Sequence, residues 1–278
     1  MSDSLPPVDY LILGHITHDR QSDGAYTLGG TATYAALTAA ALGRRVGLVT
    51  SAGTDFDVTP FAQAGVSITC QPASNTTIFE NHYRGALRVQ RVHALAGPLL
   101  AEMVPASWRN APIVHVGPVL DECGENLVAA LAGRGFLGIT PQGWLRQVAF
   151  HGRVARADWV TAARILPLAS AVVLSSEDVG GDWELLRRWA ALTPVLVVTQ
   201  AQAGGVVYVA GEPYPFPAVP AVEIDPTGAG DIFAAVFFIA LADGASPLDA
   251  AQRAAQLAAL SVTRCALEGI PTRAEAAR

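Results

Sequence analysis

Lysine is absent from this chain: all 18 basic residues are arginine. That absence excludes a GxxxxGK[ST] phosphate loop, a lysine bridging nucleotide phosphates, and any Schiff-base mechanism. Phosphate charge, if the protein handles any, has to be met by backbone amides, a metal ion or arginine. Cysteine is scarce as well. Cys70, Cys123 and Cys265 stand alone with no metal-ligand spacing and read as core or partly exposed thiols of a reducing cytoplasm. Excess positive charge is missing: the formal net charge is −6, so there is no basic footprint for nucleic acid. Long apolar runs are missing too. The longest, near residues 232–242 and 169–174, are too short to cross a bilayer, and Ser2 to Asp9 are polar and Pro-containing rather than signal-like. A soluble, cytoplasmic protein is expected, without membrane or nucleic-acid partners. No GxGxxG follows the first apolar run, where only Gly14 is available, which removes a Rossmann dehydrogenase.

What is present suits a large core: 278 residues, 51% hydrophobic and 15% charged, with no repeat, low-complexity tract or linker. Short apolar runs at Tyr10–Leu13 and residues 46–50 predict the first strands, on either side of an Ala-rich helix over 31–42 that Gly29-Gly30 opens. Further strands are expected at Ile113–Val116, Phe136–Ile139, 171–174 and Val195–Thr199, with helices at 125–132 and 183–192 among them. Such alternation points to an α/β, three-layer αβα fold with a mostly parallel central sheet, the whole of 1–278 forming one domain. Strands at 206–209 and 221–224 and helices over 232–242 and 248–262 complete the reading. Residues 76–83 and 87–92, separated by Arg84-Gly85-Ala86, read as a hairpin that either covers a pocket or decorates the sheet edge.

The most informative stretch is Asp225-Pro226-Thr227-Gly228-Ala229-Gly230-Asp231, which runs directly into the apolar helical segment 232–242. Residues with little or no side chain let the amides of Gly228, Ala229 and Gly230 converge on an anion. A helix N-terminus adds unpaired donors and partial positive charge. Asp231 beside such a site is placed to act as general base for a hydroxyl nucleophile, so the constellation points to phosphoryl transfer to an alcohol. The competing reading makes Asp231 an N-cap and the glycines a tight turn.

Together with Gly14-His15-Ile16-Thr17-His18-Asp19 and the paired Gly29-Gly30, this motif resembles the ribokinase-like (PfkB) family of carbohydrate and nucleoside kinases over nearly the whole chain. The resemblance implies Asp231 as catalytic base, Gly228, Ala229 and Gly230 as the anion hole for the γ-phosphoryl group, and Asp19, Gly29 and Gly30 as holders of the acceptor. It implies ATP with Mg²⁺ as the donor pair, with Thr199, Gly204 and Thr227 in the nucleotide site. Asp178 or Glu177 is the acid of the metal-linked motif, and Asp225 either orders the turn or coordinates a monovalent cation. Relatives usually carry Asn where Tyr34 stands, Asn-to-Glu where Ser175-Ser176-Glu177-Asp178 stands, and Gly where Ala201 stands.

The short span from Asp19 to Gly29 implies a reduced β lid, supplied mostly by residues 76–92, and hence a monomer or a small homodimer. Pro215-Phe216-Pro217-Ala218 and Pro141-Gln142-Gly143-Trp144-Leu145-Arg146 resemble the branch containing plant myo-inositol kinases. A sugar, polyol or nucleoside acceptor is therefore expected. A non-catalytic metabolite- or nucleotide-binding relative, motivated by the altered positions, is the competing function. Among the remaining polar residues, His15 and His18 read as pocket lining rather than metal ligands. Arg84, Arg88 and Arg91 read as a solvated face, and Arg146 as another candidate phosphate clamp. Trp108, Trp144, Trp159, Trp183 and Trp189 read as packing residues.

Overall fold

Every residue of β1 (Tyr10–Leu13) is buried, as a strand covered on both faces requires. The computed structural model describes residues 5–84 and 87–277. After β1 come β2 (Thr17–Arg20), β3 (Tyr26–Gly29), α1 (Thr31–Ala41), β4 (Val46–Ala52), α2 (Thr59–Ala64), β5 (Ser67–Pro72), β6 (Thr77–Arg84) and β7 (Leu87–Ala94). The middle of the chain gives β8 (Ile113–Val116), α3 (Glu125–Leu131), β9 (Phe136–Ile139), β10 (Arg146–Val148), β11 (Val154–Arg156) and α4 (Ala162–Ile165). The last part gives β12 (Ala171–Ser175), α5 (Trp183–Ala190), β13 (Val195–Thr199), β14 (Gly205–Val209), β15 (Glu212–Phe216), α6 (Ala229–Ala242), α7 (Pro247–Ser261) and α8 (Arg273–Ala276).

Nine strands form one sheet in the order β15-β14-β13-β12-β9-β8-β1-β4-β5. The pairs from β13 through to β5 are parallel; β14 runs antiparallel to them, and β15, antiparallel to β14, returns to the common direction. Strand alternation divides the core. Leu11, Leu13, Val114, Val116, Leu137 and Ile139 pack with α3, α4 and α5. Tyr10, Ile12, Leu48 and Val173 point the other way, toward α1, α6 and α7. The result is the expected three-layer αβα arrangement. Among the described residues no helix is long and apolar enough to cross a membrane.

A second sheet, in the order β3-β2-β6-β7, forms the lid. The span from Asp19 to Gly29 holds only a tiny hairpin, β2 with β3, and β6 adds to it in parallel. β6 and β7 form the expected antiparallel hairpin; residues 85 and 86 and the side chains of Arg84 and Arg88 lie outside the described residues. A third sheet, β10 with β11, gave no sequence signal, and an Arg91↔Arg153 bridge ties it to the lid.

One expected strand is corrected. Residues 221–224 are irregular, with Val222 80% and Ile224 63% exposed. The outer strand is instead β15, hidden in the sequence by Pro213 and Pro215. Two prolines two residues apart put both missing N–H donors on one side, which an edge strand tolerates and a central strand does not.

Gly138 of β9 lets the sheet meet α6 closely: a Cβ there would lie 2.5 Å from the Phe238 ring. Phe238 is fully buried and meets His115 edge-on at 4.9 Å. Phe238→Ala is expected to leave a cavity and lower unfolding free energy by about 3–5 kcal/mol, read from the urea midpoint.

Candidate active site

The chain lays down β1, β4 and β5 in one direction and β8, β9, β12 and β13 in the other, so the sheet order reverses between β1 and β8. Loops leaving the C-terminal ends of these two strands diverge and open a crevice. Its floor is backbone. A Cβ on Gly14 would lie 2.4 Å from the Gly117 carbonyl oxygen, and one on Gly117 would lie 2.5 Å from Thr31 Cγ2. These glycines allow the start of α1 to settle onto the strand ends.

Asp19, Gly29 and Gly30 come together on the lid side. A Cβ on Gly29 would lie 2.4 Å from Asp19 Oδ2, so the carboxylate rests against bare backbone. Gly30, at φ 87°, is the N-cap of α1 and lies too close to the His15 carbonyl for any side chain. His15 is structural: its ring nitrogens meet Thr77 Oγ1 at 2.9 Å and the Gly97 carbonyl at 2.8 Å. His18 stacks on Tyr26 at 5.2 Å, and burial lowers its pKa against the opposing pull of Asp55. Neither histidine belongs to a metal cluster among the described residues. Glu122, which sequence reasoning passed over, is buried and accepts N–H bonds from His15, Val119 and Leu120. It fastens the loop after β1 to the loop after β8.

Opposite the lid, α6 begins at Gly228, which takes φ 79° and carries no side-chain cap. The Ala229 N–H turns back to the Pro226 carbonyl at 3.2 Å. The remaining first-turn donors have no acceptor within the helix and, with the dipole, favour an anion. The Tyr34 ring lies against this turn, where a Cβ on Gly228 would come within 2.2 Å of it. Burial, then the charges of Asp19, Asp231 and Asp225, push the Tyr34 phenol well up, so it stays protonated. Its hydroxyl is buried without a hydrogen-bond partner.

Asp231 stands one residue beyond Gly230, half-buried, with Oδ1 accepting a 2.7 Å bond from Thr31 Oγ1. Burial raises its pKa to about 6; the Thr31 bond and Arg146 oppose the shift, while Asp178 and Asp19 add to it. The charges of Arg146, at the start of β10, and of Asp178, in the loop after β12, thus act on this carboxylate. Thr31 had no signal in the sequence, because its partner lies far along the chain.

The remaining residues divide by role in the architecture. Asp225 accepts the Thr227 N–H at 2.9 Å and the Ala266 N–H at 2.8 Å. Burial works to raise its pKa, but these donors hold it below the ordinary value. Of its two expected roles, this geometry is that of a carboxylate ordering the turn. Asp178 accepts from Ser175 N at 2.9 Å and Gln142 Nε2 at 3.3 Å, and Glu177 beside it is exposed. Mg²⁺ needs only one or two protein carboxylates when phosphate oxygens complete its shell, so Asp178 and Glu177 fit that ion.

Thr199 pairs with Ser175 in the sheet, which sets it beside this acidic loop. Gly204, at φ 85°, has no room for a side chain because Phe216 and Pro217 lie over it, and Thr227 is exposed on the turn before α6. Ala201 holds a left-handed φ of 47°, a region that favours glycine. The crevice thus joins an anion site, a carboxylate that titrates near neutrality and a second carboxylate suited to hydroxyls.

Because the folded pKa of Asp231 lies above its unfolded value, its ionised form is the destabilising one. The folded state binds the proton more tightly, and stability declines as pH rises from about 4 through about 6. Asp231→Asn is therefore expected to raise the melting temperature at pH 8, measured calorimetrically, and to leave it nearly unchanged at pH 4.

Known proteins resemble this chain in sequence and in fold. The pfkB family carbohydrate kinase pattern matches residues 182–272, which include the turn and the start of α6. Inositol 3-kinase of Oryza sativa is 30% identical across 96% of this chain and 71% of its own length. Cytidine kinase of Thermococcus kodakarensis is 28% identical across 85% of this chain and 90% of its own. Among solved structures, a pyrophosphate-dependent ribokinase-family kinase complexed with a pyrophosphate analog and myo-inositol superposes with a TM-score of 0.79. At 22% identity, over 92% of this chain and 96% of that one, this last likeness is one of fold. The chain belongs to the pfkB family of carbohydrate kinases.

Proposed function

We propose that the protein transfers the terminal phosphoryl group of ATP to a hydroxyl of a small sugar or polyol. The observation that carries this reading is Asp231 held by Thr31 beside the uncapped start of α6. In it, Asp19 and the Gly29-Gly30 backbone hold the acceptor's hydroxyls, and Asp231 takes the proton of the one that reacts. That oxygen attacks the terminal phosphorus in line, the new O–P bond forms as the bond to the leaving phosphate oxygen breaks, and the electron pair departs with ADP. The amides at Gly228–Gly230 stabilise the charge on the transferring group. Asp178 and Glu177 would hold Mg²⁺, which supplies neutralisation of the donor's phosphate charge. Thr199, Gly204 and Thr227 border the nucleotide, and the chain acts as one kinase unit with residues 76–92 as part of its lid.

A nucleoside acceptor is the second reading, favoured by the similarity to a cytidine kinase. A ribose diol offers Asp19 the same pair of hydroxyl donors as a polyol. The polyol is preferred on the similarity to an inositol 3-kinase across nearly the whole chain.

Acceptor-dependent phosphoryl transfer from Mg-ATP, with pyrophosphate as a parallel donor, tests the reading against myo-inositol, ribose, hexoses and nucleosides. One acceptor class is expected to turn over, and Asp231→Asn is expected to reduce kcat by about 10²–10⁴-fold. Binding of these ligands without transfer from either donor would instead establish a sensor. The base works only when ionised, so kcat/KM is expected to be level above pH 6 and to fall about tenfold per unit below it. An acid limb near pH 4 would remove Asp231 from that role.

A further inference from the structure

β10 begins with Arg146 immediately after the turn Pro141–Leu145, which leaves the C-terminal end of β9. β9 lies between β8, at the crevice, and β12, which leads into the acidic loop. The turn is fixed from several sides. Gly143 N–H bonds the Pro118 carbonyl at 2.9 Å, and a Cβ on Gly143 would lie 2.5 Å from the Pro118 backbone. Trp144 donates to the Cys123 carbonyl at 2.8 Å, stacks on Trp159 at 5.0 Å, and Trp159 meets Trp189 edge-on at 5.4 Å. Gln142 donates to Asp178. The tryptophans are packing residues, as expected, and what they pack is the base of an arginine-bearing hairpin.

The hairpin's far side is anchored equally. Arg156, opposite Arg146 in the β10–β11 ladder, donates to the Val179 carbonyl at 2.8 Å, just past the acidic loop. Gly152, at φ 74°, packs against the Val92 carbonyl of the lid, beside the Arg91↔Arg153 bridge. Arg146 is thus positioned from the sheet, the acidic loop and the lid at once. Its own side chain is partly buried, and its charge acts on Asp231.

Charge balance indicates what such an arginine is for. Asp19, Asp178 and Asp231 converge on the crevice, and Asp178 and Asp19 both act against the charge of Asp231. A transferring phosphoryl group adds further negative charge, spread over three equatorial oxygens. The start of α6 reaches that group from one side, and the chain has no lysine to reach it from another. A planar guanidinium, always protonated, can span two such oxygens.

We propose that Arg146 is a catalytic residue of the phosphoryl transfer, its guanidinium contacting the equatorial oxygens of the transferring group opposite the α6 amides. The inference rests on the kinase reading. Arg146 takes and gives no proton: the acceptor's proton goes to Asp231, the acceptor oxygen bonds phosphorus, and the leaving oxygen keeps its electron pair in the departing nucleoside diphosphate.

The test compares wild type, Arg146→Gln and Arg146→Lys with the acceptor that wild type turns over, in the presence and absence of non-denaturing guanidinium chloride. Arg146→Gln is expected to lower kcat by about 10²-fold with acceptor KM changed less than about threefold. Added guanidinium should restore at least a tenfold share of that loss in the Gln variant and nothing in wild type. Arg146→Lys should keep more kcat than Arg146→Gln, since it keeps the charge and loses the fork. An unchanged kcat with a raised acceptor KM would make Arg146 an acceptor-binding residue and overturn the proposal. A loss of kcat that guanidinium does not rescue would make it structural and overturn it as well. If wild type transfers no phosphoryl group to any acceptor, the kinase reading itself fails and takes this inference with it.

Discussion

A carboxylate that must be ionised to work is held where burial resists its charge. Asp231 sits at the meeting of α1, α6 and the strand ends, with two other acids acting on it and Thr31 and Arg146 favouring its charge. Without those two groups it would hold its proton more tightly. The compromise is a pKa of about 6, low enough for the carboxylate to be ionised near neutral pH and high enough for it to accept a proton readily. A group tuned in this way costs the fold stability, which is a common property of catalytic positions.

Bringing these groups together requires backbone to meet backbone. Thr31 can reach Asp231 because Gly14 and Gly117 have no side chains at the sheet's reversal point, and because Gly30 turns the chain into α1. Tyr34, one helical turn beyond Thr31, then presents its ring to Gly228 and supports the turn that opens α6. The residues around Gly30, Asp231 and the turn at Gly228 therefore share one contact between α1 and α6. The lid strands β2 and β3 lead directly into α1, so the group that meets hydroxyls and the group that holds Asp231 belong to one continuous segment.

Much of this was legible in the sequence, for physical reasons. Strands covered on both faces must be apolar throughout, so Tyr10–Leu13, Ile113–Val116 and Val195–Thr199 announced themselves. The run Gly228-Ala229-Gly230-Asp231 announced the turn that opens α6, because small residues before an apolar segment suit a tight entry into a buried helix. β15 was not legible, since its prolines disqualify it from any position but an edge, and its edge position is set by the strands beside it. Residues 221–224 alternate like a strand yet find no partner strand, because β15 already closes that side of the sheet. Thr31 and Glu122 act through partners far away in sequence, and nothing local distinguishes them from ordinary helix and loop residues. Arg146 was visible as a cation, but its placement depends on a hairpin whose three-residue strands are too short to leave a pattern.

The central claim is that the fold itself sets the proton affinity of one carboxylate. The most direct measurement is the titration of Asp231 by NMR in protein labelled at its aspartate carboxyl carbons, with the resonance assigned by its absence in Asp231→Asn. The account predicts a midpoint near pH 6 in the free protein. A midpoint near the ordinary aspartate value of about 4 would contradict it.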